Sequence, residues 1–129
     1  MPLPANTPVR IAQSFVRDVR AAGDFMHRQD ATTADDRYEG LRVRIAEARR
    51  LVSWNPESGR PARFLEAQSI HALAVAEEAR SLMQTTALPM LRELIIKPYI
   101  LLYAHNREQV ILLGLRRERQ QAFPRIARD

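Results

Sequence analysis

The feature that most constrains the fold is a series of three apolar runs in the C-terminal half, with only short breaks between them. The runs are Leu91–Lys97, Tyr99–Ala104 and Gln109–Arg116. Each is rich in Ile, Leu, Val or Tyr and has the length of an ordinary strand. Pro98 separates the first two runs, and the polar segment His105–Glu108 separates the last two. This pattern predicts three consecutive antiparallel strands.

Both faces of these strands are apolar. Alternation places Tyr99, Leu101 and Tyr103 on one face, with Val110, Leu112 and Gly114 set against Ile111, Leu113 and Leu115 in the following strand. Antiparallel sheets usually have one face exposed to solvent. We therefore expect helices to cover one face and to leave part of the other as a docking surface for a second protein. The alternative is that residues 54–65 and the C-terminal tail fold over that face.

Helical periodicity dominates the N-terminal half. After a short strand at Val9–Ala12, a first helix is predicted over residues 15–29 with Ser14 as its N-cap. A second helix is predicted over residues 34–52, opened by a capping box at Thr33–Asp36. Its apolar residues step by three and four, which predicts one buried stripe: Tyr38, Leu41, Ile45, Ala48 and Val52.

The remaining segments complete an α+β prediction. Residues 54–61 contain two prolines and a glycine and are predicted to be a loop, and an extra helix is predicted over residues 66–84. Residues 1–8 hold three prolines and read as a flexible arm. The expected organisation is this arm followed by a single domain over residues 9–129, in which a strand, a helical hairpin and an extra helix precede a three-strand meander that forms one small sheet.

Composition excludes several classes of protein. The chain of 129 residues has no cysteine, and its three histidines lack the spacing of metal ligands, so we expect neither a disulfide nor a metal. Four glycines cannot supply a GxGxxG or Walker A loop, and no cofactor is expected. The strongly apolar run Val110–Leu115 is too short to cross a bilayer. The N-terminus does not resemble a signal peptide, so the expected location is the cytoplasm.

Positive charge is concentrated towards the C-terminus. The net charge is +5, and residues 91–129 carry seven arginines and Lys97 against four acidic residues. Three of those arginines lie together at Arg116, Arg117 and Arg119. Such a cluster can bind phosphates or carboxylates through paired hydrogen bonds. It could therefore hold an RNA backbone, stabilise phosphoryl transfer or grip an acidic protein.

The order of these signals resembles the RelE/ParE superfamily of type II toxin–antitoxin toxins. The resemblance covers about residues 9–123. It is carried by the second helix, the loop Asn55–Pro61, the LREL run Leu91–Leu94, the run Tyr99–Tyr103 and the last apolar strand with its basic end. The stretch from Phe64 to Pro89 is longer than the usual connector of this family and resembles an insertion.

RelE-like members are ribosome-dependent mRNA endonucleases, and the resemblance implies where their catalytic groups would fall. The two second-strand lysines fall near Arg92 and Glu93, and the arginine after the first tyrosine of the third strand falls on Ile100. The arginine that ends the last strand matches Arg117. The tyrosine six residues beyond it falls on Phe123, which has no hydroxyl. An aliphatic residue after the first tyrosine is more similar to the ParE toxins, which inhibit DNA gyrase and are not nucleases.

The resemblance therefore implies a ParE-like toxin of a plasmid-stabilisation system that acts by binding other molecules rather than as an enzyme. Its partner would be a small acidic antitoxin in a hetero-oligomer, its target DNA gyrase, and its contact with DNA only indirect, through the antitoxin. The residues expected at the antitoxin or target are Arg92, Tyr99, Tyr103, Arg116, Arg117, Arg119 and Phe123. The alternative is a RelE-like nuclease acting on ribosome-bound mRNA, with Arg117, Arg119, Arg92 and Lys97 as its cations.

Overall fold

The computed structural model describes residues 6–62 and 90–118. The expected α+β class is confirmed. In chain order the elements are β1 Val9–Ile11, α1 Gln13–Gln29, α2 Ala34–Trp54, a 3-10 turn Pro56–Ser58, β2 Arg60–Pro61, β3 Met90–Ile96, β4 Tyr99–His105 and β5 Val110–Arg117. The predicted extra helix over residues 66–84 lies outside the described residues, as does the tail from Arg119.

The sheet contains two strands beyond the predicted meander. Its order is β1-β5-β4-β3-β2, and β3, β4 and β5 pair antiparallel as expected. β1 joins the same sheet by pairing parallel with β5, while the two-residue β2 pairs antiparallel with β3. Part of the segment predicted as a loop is thus an edge strand, where Pro61 is tolerated because an edge residue need not donate a hydrogen bond.

The helical hairpin forms where its periodicity predicts it, but its caps differ from the prediction. Helix α1 begins at Gln13 with Ala12 as its N-cap, and Ser14 lies inside the helix, where its hydroxyl donates to the carbonyl of Leu113. Thr33 does precede α2, but its side chain makes no capping hydrogen bond. The capping-box prediction is therefore wrong, because the Thr33 hydroxyl donates to the carbonyl of Asp30 instead.

Hydrogen bonds attach the end of the predicted N-terminal arm to the domain. The amide of Thr7 donates to the carbonyl of Ser53 at 2.8 Å, and the Ser53 hydroxyl donates back to the carbonyl of Thr7 at 2.7 Å. The amide of Val110 donates to the carbonyl of Pro8 at 2.9 Å. Thr7 and Pro8, the last two residues of the predicted arm, are thus hydrogen-bonded to α2 and β5.

One hydrophobic cluster joins the hairpin to the first face of the sheet. The buried stripe of α2 is confirmed, with Leu41 and Val52 at 0% exposure. Three further elements complete the cluster: Phe15 and Met26 from α1, Tyr99, Leu101 and Tyr103 from β4, and Val110, Leu112 and Leu115 from β5. In the described ranges no helix is long and apolar enough to cross a membrane.

A register shift changes which side chains of β5 reach this cluster. Leu102 pairs with Gly114, but the next residue, Tyr103, pairs with Leu112, so Leu113 is the extra residue of a bulge. Strict alternation predicted Leu115 on the face opposite Leu112. The bulge reverses the alternation, and Leu115 therefore packs in the same cluster as Leu112.

The second face of the sheet is also buried, so the predicted uncovered apolar surface is wrong. Exposure falls to 3% at Ile100, 1% at Leu102 and 4% at both Ile111 and Leu113. All seven residues of β4 are buried. A partner cannot dock on these side chains while the domain keeps this conformation.

Candidate binding site

The predicted site residues fall into two groups at opposite ends of β4. Arg92 pairs across the sheet with Tyr103, while Arg117 pairs with Tyr99 and Arg116 with Ile100. Tyr103 lies four positions after Tyr99, which amounts to about 13 Å along a strand. Arg119 and Phe123 lie outside the described residues. The sequence analysis predicted these residues as one set of binding residues, whereas the fold places them in two separate groups.

The first group lines a cavity of about 210 Å³ between α1 and the end of β5. The guanidinium carbon of Arg117 lies 5.3 Å from the centroid of the Phe25 ring, a cation–π distance. The amide of Leu115 donates to the Asp18 carboxylate at 2.9 Å, which fixes this end of β5 to α1. The lining residues are Asp18, Ala21, Ala22, Phe25, Arg28, Tyr99, Leu115, Arg116 and Arg117. The wall is thus mostly apolar, with three arginines and one carboxylate.

The charge of Arg116 interacts with charged groups on the opposite face of the sheet. Burial lowers the pKa of Arg116, while the nearby carboxylate of Glu93 acts to raise it. Glu93 is 1% exposed, and its Oε1 accepts a hydrogen bond from Nε of Arg60 at 2.9 Å. A buried carboxylate between two arginines lowers the cost of burying each charge. The carboxylate of Glu93 therefore partly balances the charge of Arg116 inside this domain.

Side chains of the second group hold the loop after α2 against the sheet through hydrogen bonds. Nε of Arg92 donates to Nε2 of His105 at 2.9 Å, and a terminal nitrogen of Arg92 donates to the carbonyl of Gly59 at 2.9 Å. The Tyr103 hydroxyl donates to the carbonyl of Pro56 at 2.6 Å and accepts from the amide of Gly59 at 2.9 Å. Both predicted binding residues therefore have structural partners.

Burial and charge set the protonation of this second group. Burial lowers the pKa of His105, and the guanidinium of Arg92 lowers it further. A histidine that accepts at Nε2 is neutral and carries its proton on Nδ1. Burial also raises the pKa of Tyr103. Near pH 7 the network consists of one cation and two neutral rings, with no group poised to exchange protons with a ligand.

Neither group forms a centre for acid–base or metal chemistry. Tyr99 and Tyr103, predicted as binding residues, are at most 4% exposed and lie in the hydrophobic cluster. Lys97 lies in the turn after β3, where the Arg44 side chain donates to its carbonyl. Within the described ranges no three His, Cys, Asp or Glu side chains are grouped as metal ligands. What remains accessible is a basic, partly apolar cavity around Arg28 and Arg117, suited to binding a carboxylate or phosphate.

Two features of the structure were not predicted from the sequence. The pair Arg60–Glu93 joins β2 to β3, but only the sheet register brings these residues together. A groove beside α2, bordered by arginines, also went unnoticed. The sequence does contain a pattern that indicates this groove. Arg42, Arg49 and Ser53 lie at helical spacing next to the buried stripe of the same helix.

Comparison with known proteins adds no family to this description. No protein-family model matches the chain, and no curated protein matches it.

Proposed function

We propose that this chain is the toxin of a type II toxin–antitoxin system, with the RelE/ParE-like fold and a ParE-like mode of action. The observation that carries the proposal is the order and packing of the elements. A strand and a helical hairpin precede a β3–β4–β5 meander, the hairpin packs on one face, and the last strand ends in Arg116 and Arg117. The same order of elements carries the sequence resemblance.

The positions of the cations favour a binding toxin over the alternative, an mRNA endonuclease. A nuclease must place its cations and proton-transfer groups within hydrogen-bond distance of one phosphate. Arg92 and Arg117 lie opposite residues that are about 13 Å apart on β4. The Arg92 side chain is also held by His105 and Gly59. These contacts hold Arg92 and Arg117 at opposite ends of β4, which disfavours a shared scissile bond.

The proposed partner is a small acidic antitoxin that forms a hetero-oligomer with the toxin in the cytoplasm. The support for it is electrostatic, since the chain carries +5 and its basic cavity includes Arg28 and Arg117. Carboxylates at that cavity would raise the association rate and make binding salt-dependent. DNA gyrase as the target rests on the family resemblance alone, and contact with DNA would be made through the antitoxin.

Expression with and without the product of the adjacent reading frame tests this proposal. Induction of the chain alone should arrest growth, and co-expression of the adjacent product should restore growth and give a stable complex on purification. The complex should dissociate more readily for Arg117→Glu than for Arg107→Glu, a matched change in the exposed β4–β5 turn. Normal growth on induction, together with failure to form a complex, would refute the proposal.

A further inference from the structure

A groove of about 620 Å³ lies between the helical hairpin and the edge strand β1, away from the cavity at Arg117. Its apolar lining comes from four elements: Val9 and Ile11 of β1, Phe15 and Val19 of α1, Tyr38 and Ile45 of α2, and Leu112 of β5. Ile11 is 46% exposed, an unusual level for a strand residue beside the core. The groove therefore exposes apolar surface that a second molecule could bury.

The rim of the groove carries positive charge only. Arg42, Arg49 and Arg50 of α2 line it, and none of its described lining residues is acidic. Arg42 approaches Glu39 at 3.7 Å, but both side chains are about two-thirds exposed, and such pairs contribute little. Arg49 and Arg50 form no ion pair with an acidic residue in the described ranges. The groove is thus complementary to negative charge.

The spacing of the arginines indicates which arrangement of carboxylates the groove can bind. Arg42 and Arg49 are seven residues apart on α2, which corresponds to two helical turns and about 10.5 Å. Carboxylates seven residues apart on one face of a partner helix have the same separation, whereas residues three apart on an extended strand point to opposite faces. β1 is also an edge strand of only three residues, and among the described residues no strand pairs with one side of its backbone.

We propose that this groove binds an acidic, amphipathic segment of the antitoxin, with carboxylates on Arg42 and Arg49 and apolar side chains on the floor. The identity of the partner rests on the function proposed above, whereas the location and chemistry of the site rest on the groove itself. A nucleic acid fits less well, because its sugar–phosphate chain would gain nothing from a floor made mainly of aliphatic residues.

Charge reversal on two faces of the hairpin provides a matched test. The groove variant is Arg42→Glu with Arg49→Glu. The control is Arg17→Glu with Arg20→Glu, two exposed residues of α1 that do not line the groove. Both variants change the net charge by the same amount, so a general electrostatic effect would weaken them equally. Circular dichroism and urea denaturation establish that both remain folded.

The dissociation constant is measured with the purified product of the adjacent reading frame. The groove variant should bind it about 10- to 100-fold more weakly than the wild type, and the control within about threefold. Ile11→Ser, which removes apolar surface from the floor, should also weaken binding. Equal losses for both charge variants, or none for either, would overturn the groove while leaving the toxin proposal intact.

Two further outcomes separate the groove from the function. If the wild type does not bind the adjacent product at all, the proposed function fails and the groove assignment fails with it. A single-stranded RNA 20-mer serves as the second probe. If it binds more tightly than the protein partner and loses that affinity only in the groove variant, the groove is a nucleic-acid site and the proposal is wrong.

Discussion

Gly59 holds the closest approach between the loop after α2 and the sheet. A Cβ atom at this position would lie 2.5 Å from the carbonyl oxygen of Glu93 and 2.9 Å from the Tyr103 hydroxyl. The first of these is a backbone atom paired within the sheet and cannot move aside cheaply. The absence of a side chain therefore lets Tyr103 and Arg92 hydrogen-bond to the backbone of Gly59.

Gly59→Ala should lower the free energy of unfolding by about 1–3 kcal/mol, the usual cost of forcing an extra carbon into a packed site. Gly40→Ala is the matched control, because a Cβ there meets nothing within 4 Å. In the interior of α2 it should raise stability by about 0.5–1 kcal/mol. Urea denaturation of both variants measures the difference, and a Gly59→Ala protein as stable as the wild type would contradict this packing.

His105 should make stability depend on pH. Burial and Arg92 lower its pKa in the folded state, so below its ordinary value near 6.5 the unfolded chain binds more protons than the folded one. Stability therefore rises with pH in this range, and the contribution of neutral His105 is lost as pH falls below about 6.5 towards its folded pKa.

The measurement is the midpoint of urea denaturation between pH 8 and pH 5. The wild type should lose more stability over this range than His105→Gln, whose amide oxygen can accept from Arg92 without titrating. Parallel curves for the two proteins would show that His105 does not contribute to the pH dependence.

At the scale of elements, long periodic segments could be predicted and short ones could not. The stripe of α2 repeats over five positions, and the strands of the meander are seven or eight residues long. β2 has two residues, and its pairing with β3 depends on contacts distant in sequence. The bulge at Leu113 could not be predicted from the alternation of side chains along β5 either. Arg92 and Tyr103 were predicted as binding residues, and their hydrogen-bond partners in the loop after α2 could not be foreseen.

The face of α2 can be tested with two adjacent residues. Ala48 is 5% exposed in the cluster, whereas Glu47 is exposed. Ala48→Asp would bury a charge without a partner and should cost about 3–5 kcal/mol, while Glu47→Ala should cost less than about 0.5 kcal/mol. Thermal denaturation compares the two variants. Equal melting temperatures would mean that the buried face of α2 is wrongly assigned.

At the scale of the whole molecule, β4 is buried on both faces, while among the described Asp, Glu, Lys and Arg side chains only Glu93 is buried. Both faces of β4 are buried, and among the described residues the cavity at Arg117 and the groove beside α2 are the two surfaces at which we propose that partners bind. This distribution suits a protein that acts by binding others. Removal of one preorganised donor from a catalytic site typically costs about 100- to 1,000-fold in rate. In the proposed resemblance, Ile100 and Phe123 fall where RelE-like nucleases have an arginine and a tyrosine, so we expect no ribonuclease activity.

The most direct test of this account is to induce the wild type alone and to map mRNA ends on ribosomes while measuring the DNA-damage response in the same cells. The account predicts filamentation and a DNA-damage response with intact ribosome-bound transcripts. Codon-positioned cuts that disappear in Arg117→Ala, without a DNA-damage response, would contradict it and establish the nuclease in its place.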